Sequence, residues 1–525
     1  MNPNLRQSMA WLHTWMGLLL GWLLFAMFAT GTVSYFQDEI THWMQPEIDR
    51  RSDPARAAKG AIAYLHKVAP DARSWYIALP GPRGLTTQVY WQPGIDAPAQ
   101  DRKDTQARLD AEGKPAALRE TRGGSFLYRF HFDLYGVPVI WARYLVGIAA
   151  MAMLVAIISG VITHKKIFAD FFLLRLGKGQ RSWLDAHNVS AVLALPFHAM
   201  ITFTGLVTLA TLYMPFGIAA NYARGADFYD AVNGPSAPAG RSGKAMPLPP
   251  IAPLIERASA RWGGKPVGVV SIANPGDASA TITLRRAAHA AIGTSGETVV
   301  YGLADAAPLG ESKAKGAGLA TQSVMVGLHA GRFADTALRW IYFLFGLTGT
   351  AMVGTGLVLW TVKRRQRLPD PARPHFGFWL VERLNIGAIV GVPAAIGAYF
   401  LANRLLPINL AERAEGEIHA FFLAWAGVLV WSLVRSPGKA WVETLGATGL
   451  LYLALPFVNA LTTARGLPAS LARGDWLFAG FDLTLCATGL CLAIGAFTLQ
   501  ARGESGKTGR APARPSRPRK AVRGQ

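Results

Sequence analysis

The stretch that decides the fold is residues 13–31, HTWMGLLLGWLLFAMFATG, and it has a counterpart 174 residues later, HNVSAVLALPFHAMITFTG at 187–205. Both segments have 19 residues, begin with histidine and end in Thr-Gly. A second pair follows, with His131 after Phe130 and His329 after Leu328. The pattern predicts a duplicated unit of apolar span, polar segment, histidine and second apolar span.

Long apolar runs recur along the whole chain of 525 residues. They cover 9–36, 139–163, 189–213, 338–362, 378–403, 419–434, 441–463 and 475–499. At about 1.5 Å per residue, a helix of such a run crosses a hydrocarbon core about 30 Å thick. We therefore predict a polytopic α-helical membrane protein of about eight spans. The composition, 51% hydrophobic and only 16% charged, excludes a soluble cytoplasmic enzyme.

The net charge of +21 is concentrated in a few segments. Basic residues cluster after the second span (165–181), after the fourth (363–373) and in the Pro-, Gly- and Ser-rich tail at 501–525, which is predicted to be disordered. The positive-inside rule makes these segments cytoplasmic and predicts that both termini lie in the cytoplasm. Attraction to anionic membrane lipid explains the charge better than nucleic-acid binding, so no nucleic-acid partner is expected.

This topology divides the chain into segments. We expect a first span (1–37), a first extracytoplasmic domain (38–137), two spans with a basic loop (138–213), a second extracytoplasmic domain (214–330), a fourth span (331–365), a four-span extension (375–500) and the tail (501–525). Both outer segments show a helical pattern followed by strand patterns: 56–68, 74–79 and 85–91 in the first, and 251–261, 267–273 and 278–285 in the second. Two small α+β domains are therefore predicted, with polar linkers at 101–124 and 224–250.

Histidines at the span ends indicate function, because an ionisable side chain in a membrane is costly. In this topology His13 and His187 lie near the inner ends of two spans, and His131 and His329 near the outer ends of the other two. Imidazoles paired at two depths suit haem with two axial histidines, which passes electrons and leaves no open position on the iron. No Cys-x-x-Cys-His occurs, so both haems would be non-covalent, b-type.

Other polar residues leave the ligand set open. His164 closes the second span, and His198 would share a helix face with His187 at roughly 16 Å along the axis. Either could replace one of the four. Arg143 and Arg339 follow the outer histidines and could contact haem propionates or extend toward the interface. Proton relay and hydrogen bonding between helices are the alternative roles for the histidines, and zinc is disfavoured because no carboxylate or thiolate clusters with them.

Several blocks resemble the PepSY-associated transmembrane proteins. They are LHTWMG at 12–17, SGVITHKKIFADFFL at 159–173, GQRSWLDAHNV at 179–189, LPFHAMITFTGL at 195–206 and HAGRF at 329–333, which is similar to the start of that family's fourth-span motif. The resemblance covers about residues 5–365 and implies that the two outer units are PepSY-like domains. Some members are inner-membrane ferric-siderophore reductases with two b-type haems. The resemblance therefore implies the same role here, with His13, His187, His131 and His329 as axial ligands.

The predicted function is an oxidoreductase that acts during iron uptake. Electrons would pass from a cytoplasmic donor or a quinol, across the bilayer, to a ferric siderophore or another ferric chelate on the periplasmic side. No strand–GxGxxG–helix unit is visible in the sequence, so the donor is expected to be a separate molecule. The alternatives are a non-enzymatic PepSY membrane protein that regulates or senses in the periplasm, and a proton-coupled transporter.

Overall fold

The computed structural model describes residues 3–48, 53–94, 105–110, 112–164, 167, 171, 173–233, 240–294, 296–303, 308–312 and 316–508. The chain forms two compact units. The first comprises Met1–His375 and Leu406–Gly416, and the second Phe376–Leu405 and Glu417–Gln525.

Helices make up most of the first unit. In chain order they are α1 (Pro3–Leu19), α2 (Gly21–Ser34), α3 (Gln37–Met44), α4 (Pro54–Val68), α5 (Gly123–Asp133), α6 (Val139–Thr163), α7 (Gln180–Leu193), α8 (Leu195–Thr208), α9 (Ala210–Tyr213), α10 (Phe216–Asn221), α11 (Gly225–Asn233), α12 (Ile251–Arg261), α13 (Ala317–Ala330) and α14 (Thr336–Arg365).

Two of the predicted spans are bent rather than straight. α1 meets α2 at 66°, and α7 meets α8 at 68°. The breaks fall at Leu20 and Ala194, which are equivalent positions in the 174-residue repeat. Pro196 lies in the first turn of α8, where no backbone N–H is needed for a helical hydrogen bond, and the conformationally flexible Gly21 is the first residue of α2. The expectation that His187 and His198 share one straight helix face was therefore wrong.

The protein is a polytopic membrane protein. Within the described residues, six helices are long and apolar enough to cross a membrane, and counting each bent pair as one span gives eight. This agrees with the prediction of about eight spans.

The strands of both outer segments form one sheet. They are β1 (Ser74–Ala78), β2 (Thr87–Gln92), β3 (Gln106–Leu109), β4 (Val267–Ala273), β5 (Thr281–Arg286), β6 (Thr298–Gly302) and β7 (Pro308–Ser312). Their order is β3-β2-β1-β4-β5-β6-β7, and every neighbouring pair is antiparallel. The two predicted α+β units are thus joined through β1 and β4, with Tyr76 opposite Ser271. The predicted linkers are also partly regular, since 101–124 contains β3 and 224–250 contains α11.

The core of this sheet lies on a single face, against α4 and α12. Alternate strand residues such as Trp75, Ile77, Val270 and Ile282 are fully buried there, together with Leu65 of α4. This is the period of two that the sequence predicted. The turn at 274–277 is also confirmed: Asn274 and Gly276 adopt positive φ angles of 48° and 78° between β4 and β5.

Two loops at the same end of the strands approach the helices α2 and α13. In the β1–β2 loop, Arg83 donates to the carbonyl oxygen of Tyr35 at 2.8 Å, just after α2. In the β5–β6 loop, the carbonyl of Ile292 lies so close to Gly327 of α13 that a Cβ there would be 1.7 Å from the oxygen. The sheet therefore rests on α13, immediately before His329.

The second unit is a helical bundle. Its helices are α15 (Phe376–Ile389), α16 (Gly391–Leu405), α17 (Arg413–Val434, from residue 417 on), α18 (Pro437–Thr462), α19 (Leu467–Arg473) and α20 (Trp476–Thr508). They coincide with the four later apolar runs. α20 continues to Thr508, so the expectation of disorder from residue 501 was wrong for 501–508; residues 509–525 of the predicted tail lie outside the described residues. A buried polar cluster, which the sequence analysis missed, contains Asn403, Arg404, Glu417, Asn459 and Asp482.

Candidate functional site

The structure brings four histidines of the first unit together in two pairs. The rings of His13 and His187 have centroids 6.2 Å apart and planes at 76°. The rings of His131 and His329 have the same centroid separation, 6.2 Å, and planes at 28°. Each pair takes one histidine from each half of the repeat. We call His131–His329 the proximal pair, because it lies near the sheet, and His13–His187 the distal pair.

The helices that present the proximal pair differ from the sequence prediction. His131 and His329 were expected on the membrane spans, but they lie in the last turns of the short helices α5 and α13, which precede α6 and α14. The chain turns sharply after each. Leu134 follows α5 with a positive φ of 50°, and Gly331 closes α13 in the left-handed conformation that favours glycine. His13 and His187 lie on α1 and α7, as predicted.

Each of the four rings has a backbone carbonyl at its Nδ1 atom. The Nδ1–oxygen distances are 2.8 Å for His13 and Ala156, 2.8 Å for His187 and Met352, 2.7 Å for His131 and Met27, and 2.9 Å for His329 and Ile201. A carbonyl oxygen can only accept, so Nδ1 donates in all four. Nε2 of each neutral ring therefore carries the lone pair that can bind a metal.

A serine or threonine followed by glycine lies next to each of these carbonyls. The hydroxyl residue comes three positions after the accepting carbonyl and the glycine four positions after it, which is one helical turn. The four dipeptides are Thr30-Gly31 in α2, Ser159-Gly160 in α6, Thr204-Gly205 in α8 and Thr355-Gly356 in α14. The sequence analysis recognised the first and third as span ends, and it missed the other two.

The four glycines contact the histidine rings. A Cβ on Gly31 would lie 2.7 Å from Cε1 of His131, and one on Gly205 would lie 2.9 Å from Cε1 of His329. At the distal pair, a Cβ on Gly160 would lie 3.2 Å from Cε1 of His13, and one on Gly356 would lie 3.1 Å from Cε1 of His187. These distances are shorter than ordinary van der Waals contact, so each ring occupies space that any other residue would fill.

The spacing of both pairs fits two imidazoles on one metal. A bond from imidazole nitrogen to a metal is about 2 Å, and the ring centre lies about 1 Å beyond the nitrogen, so two rings on opposite sides of one metal have centres about 6 Å apart. The observed 6.2 Å matches this value in both pairs. Among the described residues no group of three or more His, Cys, Asp or Glu side chains is arranged to hold a metal. Two imidazoles in each pair could serve as donors, and such a set suits haem iron.

A cavity of about 270 Å³ lies beside the proximal pair. Its walls are mostly apolar and come from α2, α6 and α8, including Leu24, Phe28 and Met153. Polar side chains also line it, among them Ser34, Tyr35, Gln37, Tyr128 and the exposed Arg332. A mostly apolar cavity with a few polar groups is typical of sites for cofactors and small molecules.

The two pairs lie at different levels along the helices. On α6, Val146, Ala150 and Met153 line the proximal cavity, whereas the carbonyl of Ala156 holds His13 of the distal pair. Three to ten residues of helix correspond to roughly 4.5–15 Å. The sites are thus stacked along the direction of the spans.

The arginines predicted to reach propionates have carboxylate partners. Nε of Arg143 lies 2.8 Å from Asp133, and Arg339 donates to Glu39 at 2.6 Å. Glu39 also accepts from Arg83 at 2.6 Å. Burial alone would lower the pKa of Arg83, but Glu39 raises it above its ordinary value. Propionate contact by Arg143 or Arg339 stays a prediction.

Arg332 is the guanidinium that lines the proximal cavity, and the sequence analysis did not assign it a role. It lies three residues after His329, within the block at 329–333. That proximity was the available signal.

The two alternative histidine ligands have hydrogen bonds at Nε2. Nε2 of His164 lies 3.1 Å from the side-chain nitrogen of Asn188, which must donate to it. His198 is fully buried, and its Nε2 lies 3.3 Å from the carbonyl oxygen of Phe345 and 3.2 Å from the hydroxyl of Thr348. These bonds favour the other four histidines as ligands.

Comparison with curated proteins gave no match. A family model described as PepSY-associated TM region matches residues 10–363. The match spans both histidine pairs, all four Ser/Thr-Gly dipeptides and the complete sheet, and it covers well over half of the chain. The chain therefore belongs to the family of PepSY-associated transmembrane proteins.

Proposed function

We propose that this protein is an inner-membrane oxidoreductase that holds two b-type haems. It would pass electrons across the bilayer and reduce ferric iron in siderophore-type chelates on the sheet side during iron uptake. The observation that supports this most is the geometry of the histidine pairs. In both pairs the ring centroids lie 6.2 Å apart, and Nδ1 of every ring is hydrogen-bonded to a backbone carbonyl.

The residues of the chain have three tasks in this proposal. The imidazoles of His13, His187, His131 and His329 would hold the haem iron through their Nε2 lone pairs. The carbonyls at Nδ1 fix the tautomer and make each imidazole a stronger donor. The apolar walls of the proximal cavity exclude water. Haem, when bound, supplies the one-electron chemistry, and the protein tunes it through ligation and burial.

The lining of the proximal cavity suits contact with an anionic group. Arg332 is exposed and lines the cavity beside Gln37 and Tyr35. An exposed guanidinium in the lining attracts carboxylates, including those of an acidic chelate. Ferrous iron binds far more weakly than ferric iron to hard oxygen donors, so one-electron reduction of the chelate releases the metal.

The basic residues support the proposed orientation. Lys363, Arg364 and Arg365 form the last turn of α14, at the end away from the sheet. The positive-inside rule makes that end cytoplasmic and the sheet periplasmic. A haem held by the distal pair would then lie toward a cytoplasmic donor or a quinol, and a haem held by the proximal pair would lie toward the substrate.

The experiment is spectroscopic and kinetic. The full-length protein, purified in detergent from haem-replete cells, should show a Soret band that shifts on addition of dithionite. Mixing the reduced protein anaerobically with a ferric hydroxamate should restore the oxidised spectrum and release ferrous iron. A colourless protein would contradict the proposal and favour a regulatory or transport role. A coloured protein that ferric chelates do not reoxidise would contradict the reductase activity alone.

A further inference from the structure

Each of the four paired histidines has its own Ser/Thr-Gly dipeptide. One copy lies on each of four helices, α2, α6, α8 and α14, and each follows the carbonyl that accepts from a different histidine. Positions three and four residues apart lie on the same face of a helix. Each helix therefore presents a carbonyl oxygen, a hydroxyl and a bare Cα to one imidazole ring.

We propose that these four dipeptides are positioning residues for the four imidazoles, and that the hydroxyl of Ser159 also adjusts the basicity of the His13 ring. The inference rests on the proposed function, because it concerns rings that bind haem. The glycine lets the ring approach the helix backbone, and the carbonyl fixes the direction of Nδ1. Together they aim Nε2 at the centre of the pair.

Ordinary helix packing does not account for these glycines. Glycines in membrane helices usually admit a neighbouring helix. Gly346, for example, would bring a Cβ within 2.4 Å of the hydroxyl of Thr32, and Gly147 would bring one within 2.5 Å of the ring of Tyr213. At Gly31 and Gly205, in contrast, the nearest atoms all belong to the paired histidine. The space at these glycines is occupied by the ligand ring.

The hydroxyls approach the same carbonyls that the rings use. Ser159 donates to the carbonyl of Ala156 at 3.1 Å. Thr204 and Thr355 lie 3.3 and 3.1 Å from the carbonyls of Ile201 and Met352, but they make shorter bonds, 2.7 and 2.6 Å, to the preceding carbonyls of Met200 and Ala351. A carbonyl that already accepts a hydroxyl is a weaker acceptor for Nδ1–H, so the imidazole is less electron-rich. Removal of the hydroxyl should therefore strengthen donation to ferric iron and lower the midpoint potential of that haem.

The steric part is tested by alanine variants of the full-length protein. Gly31→Ala and Gly205→Ala should each remove or change the low-spin ferric signal of the proximal haem and leave the distal signal intact. Gly160→Ala and Gly356→Ala should do the reverse, with smaller changes, because their contacts are longer. Gly17→Ala is the control, since nothing lies within 4 Å of a Cβ at Gly17 of α1. Wild-type signals from both haems in all four variants would overturn the proposal.

The electronic part uses variants that keep the fold. Ser159→Ala should lower the midpoint potential of the distal haem in a redox titration, and Ser159→Thr, which keeps the hydroxyl, should retain the wild-type value. Thr484→Val is the control, because its hydroxyl donates to the carbonyl of Gly480 within α20 of the second unit. An unchanged potential in Ser159→Ala would overturn the tuning role even if a glycine variant does not fold. A wild-type protein without haem would refute the proposed function together with this inference.

Discussion

The rings of His131 and His329, which come from opposite halves of the duplicated core, lie with centroids 6.2 Å apart and planes at 28°. The distal pair, His13 and His187, repeats the separation but not the angle, which is 76°. The equal distances would suit the same kind of ligand in both places, and the different angles would make the two proposed haem sites electronically different.

The angles predict two distinct spectra. Near-parallel axial imidazoles give a rhombic low-spin ferric signal, and near-perpendicular ones give a strongly anisotropic signal with a large g value. Electron paramagnetic resonance of the oxidised protein should therefore show both types, one per site. His187→Ala should remove the anisotropic signal and retain the rhombic one. A single type of signal from protein containing two haems would contradict the pair geometry.

Loss of the Glu39 charge, which pairs with two arginines, should lower the stability of the protein. Glu39 bridges Arg83 of the sheet loop and Arg339 of α14, and Arg339 is only 7% exposed. Glu39→Gln keeps the shape but removes the charge. Breaking a fully buried pair costs about 3–5 kcal/mol, and the partial exposure of Glu39 reduces this to about 2 kcal/mol. Thermal unfolding followed by circular dichroism measures the change.

The matched control for that variant is Asp227→Asn. Asp227 pairs with Arg224, whose side chain is 78% exposed, so solvent screens the interaction. The melting temperature of this control should equal that of the wild type. Equal melting temperatures for Glu39→Gln and the wild type would show that the ion pairs of Glu39 do not connect the sheet to the spans.

Because one sheet contains strands of both outer segments, a substitution that destabilises a strand of the first segment should also destabilise strands of the second. Ile77 of β1 is fully buried, and Ile→Ala at such a site costs about 2–5 kcal/mol. Because β1 pairs with β2 and with β4, amide hydrogen exchange should accelerate in residues 87–92 and in 267–273 alike. Tyr76→Ala is the control, because Tyr76 lies on the opposite face of the sheet and is 38% exposed. Faster exchange confined to residues 74–92 would argue for two independent domains.

Arg332 predicts a charge-dependent rate. Arg332→Gln should slow reoxidation of the reduced protein by an anionic ferric chelate several-fold at low salt. The difference should shrink near 1 M salt, where the screening length falls to about 3 Å. Arg224→Gln, at an exposed position, is the control. A rate loss of equal size for a neutral chelate would indicate a structural role instead.

The sequence predicted the histidine pairs because the duplication aligns them. His13 matches His187 at the fixed offset, and the apolar runs separate the two levels. Helix and strand positions in the outer segments were also predicted closely, since the period of two and the turn at 274–277 are local signals. Membership of the PepSY-associated family was likewise predicted and is confirmed.

Other features depend on contacts that local patterns do not encode. The pairing of β1 with β4 joins strands nearly 190 residues apart. The bends at Leu20 and Ala194 interrupt runs whose apolar composition continues unchanged, and Pro196 was the only strong signal. Ser159-Gly160 and Thr355-Gly356 were visible in the sequence, but their role depends on which ring approaches the helix.

The most direct measurement is the haem-to-protein ratio of the purified chain and its histidine variants. We expect two haems in the wild type and one in each of His131→Ala, His329→Ala, His13→Ala and His187→Ala, whereas His66→Ala in α4 should retain two. A ratio near zero in the wild type, or an unchanged ratio in all four variants, would contradict the proposal that the two histidine pairs bind haem.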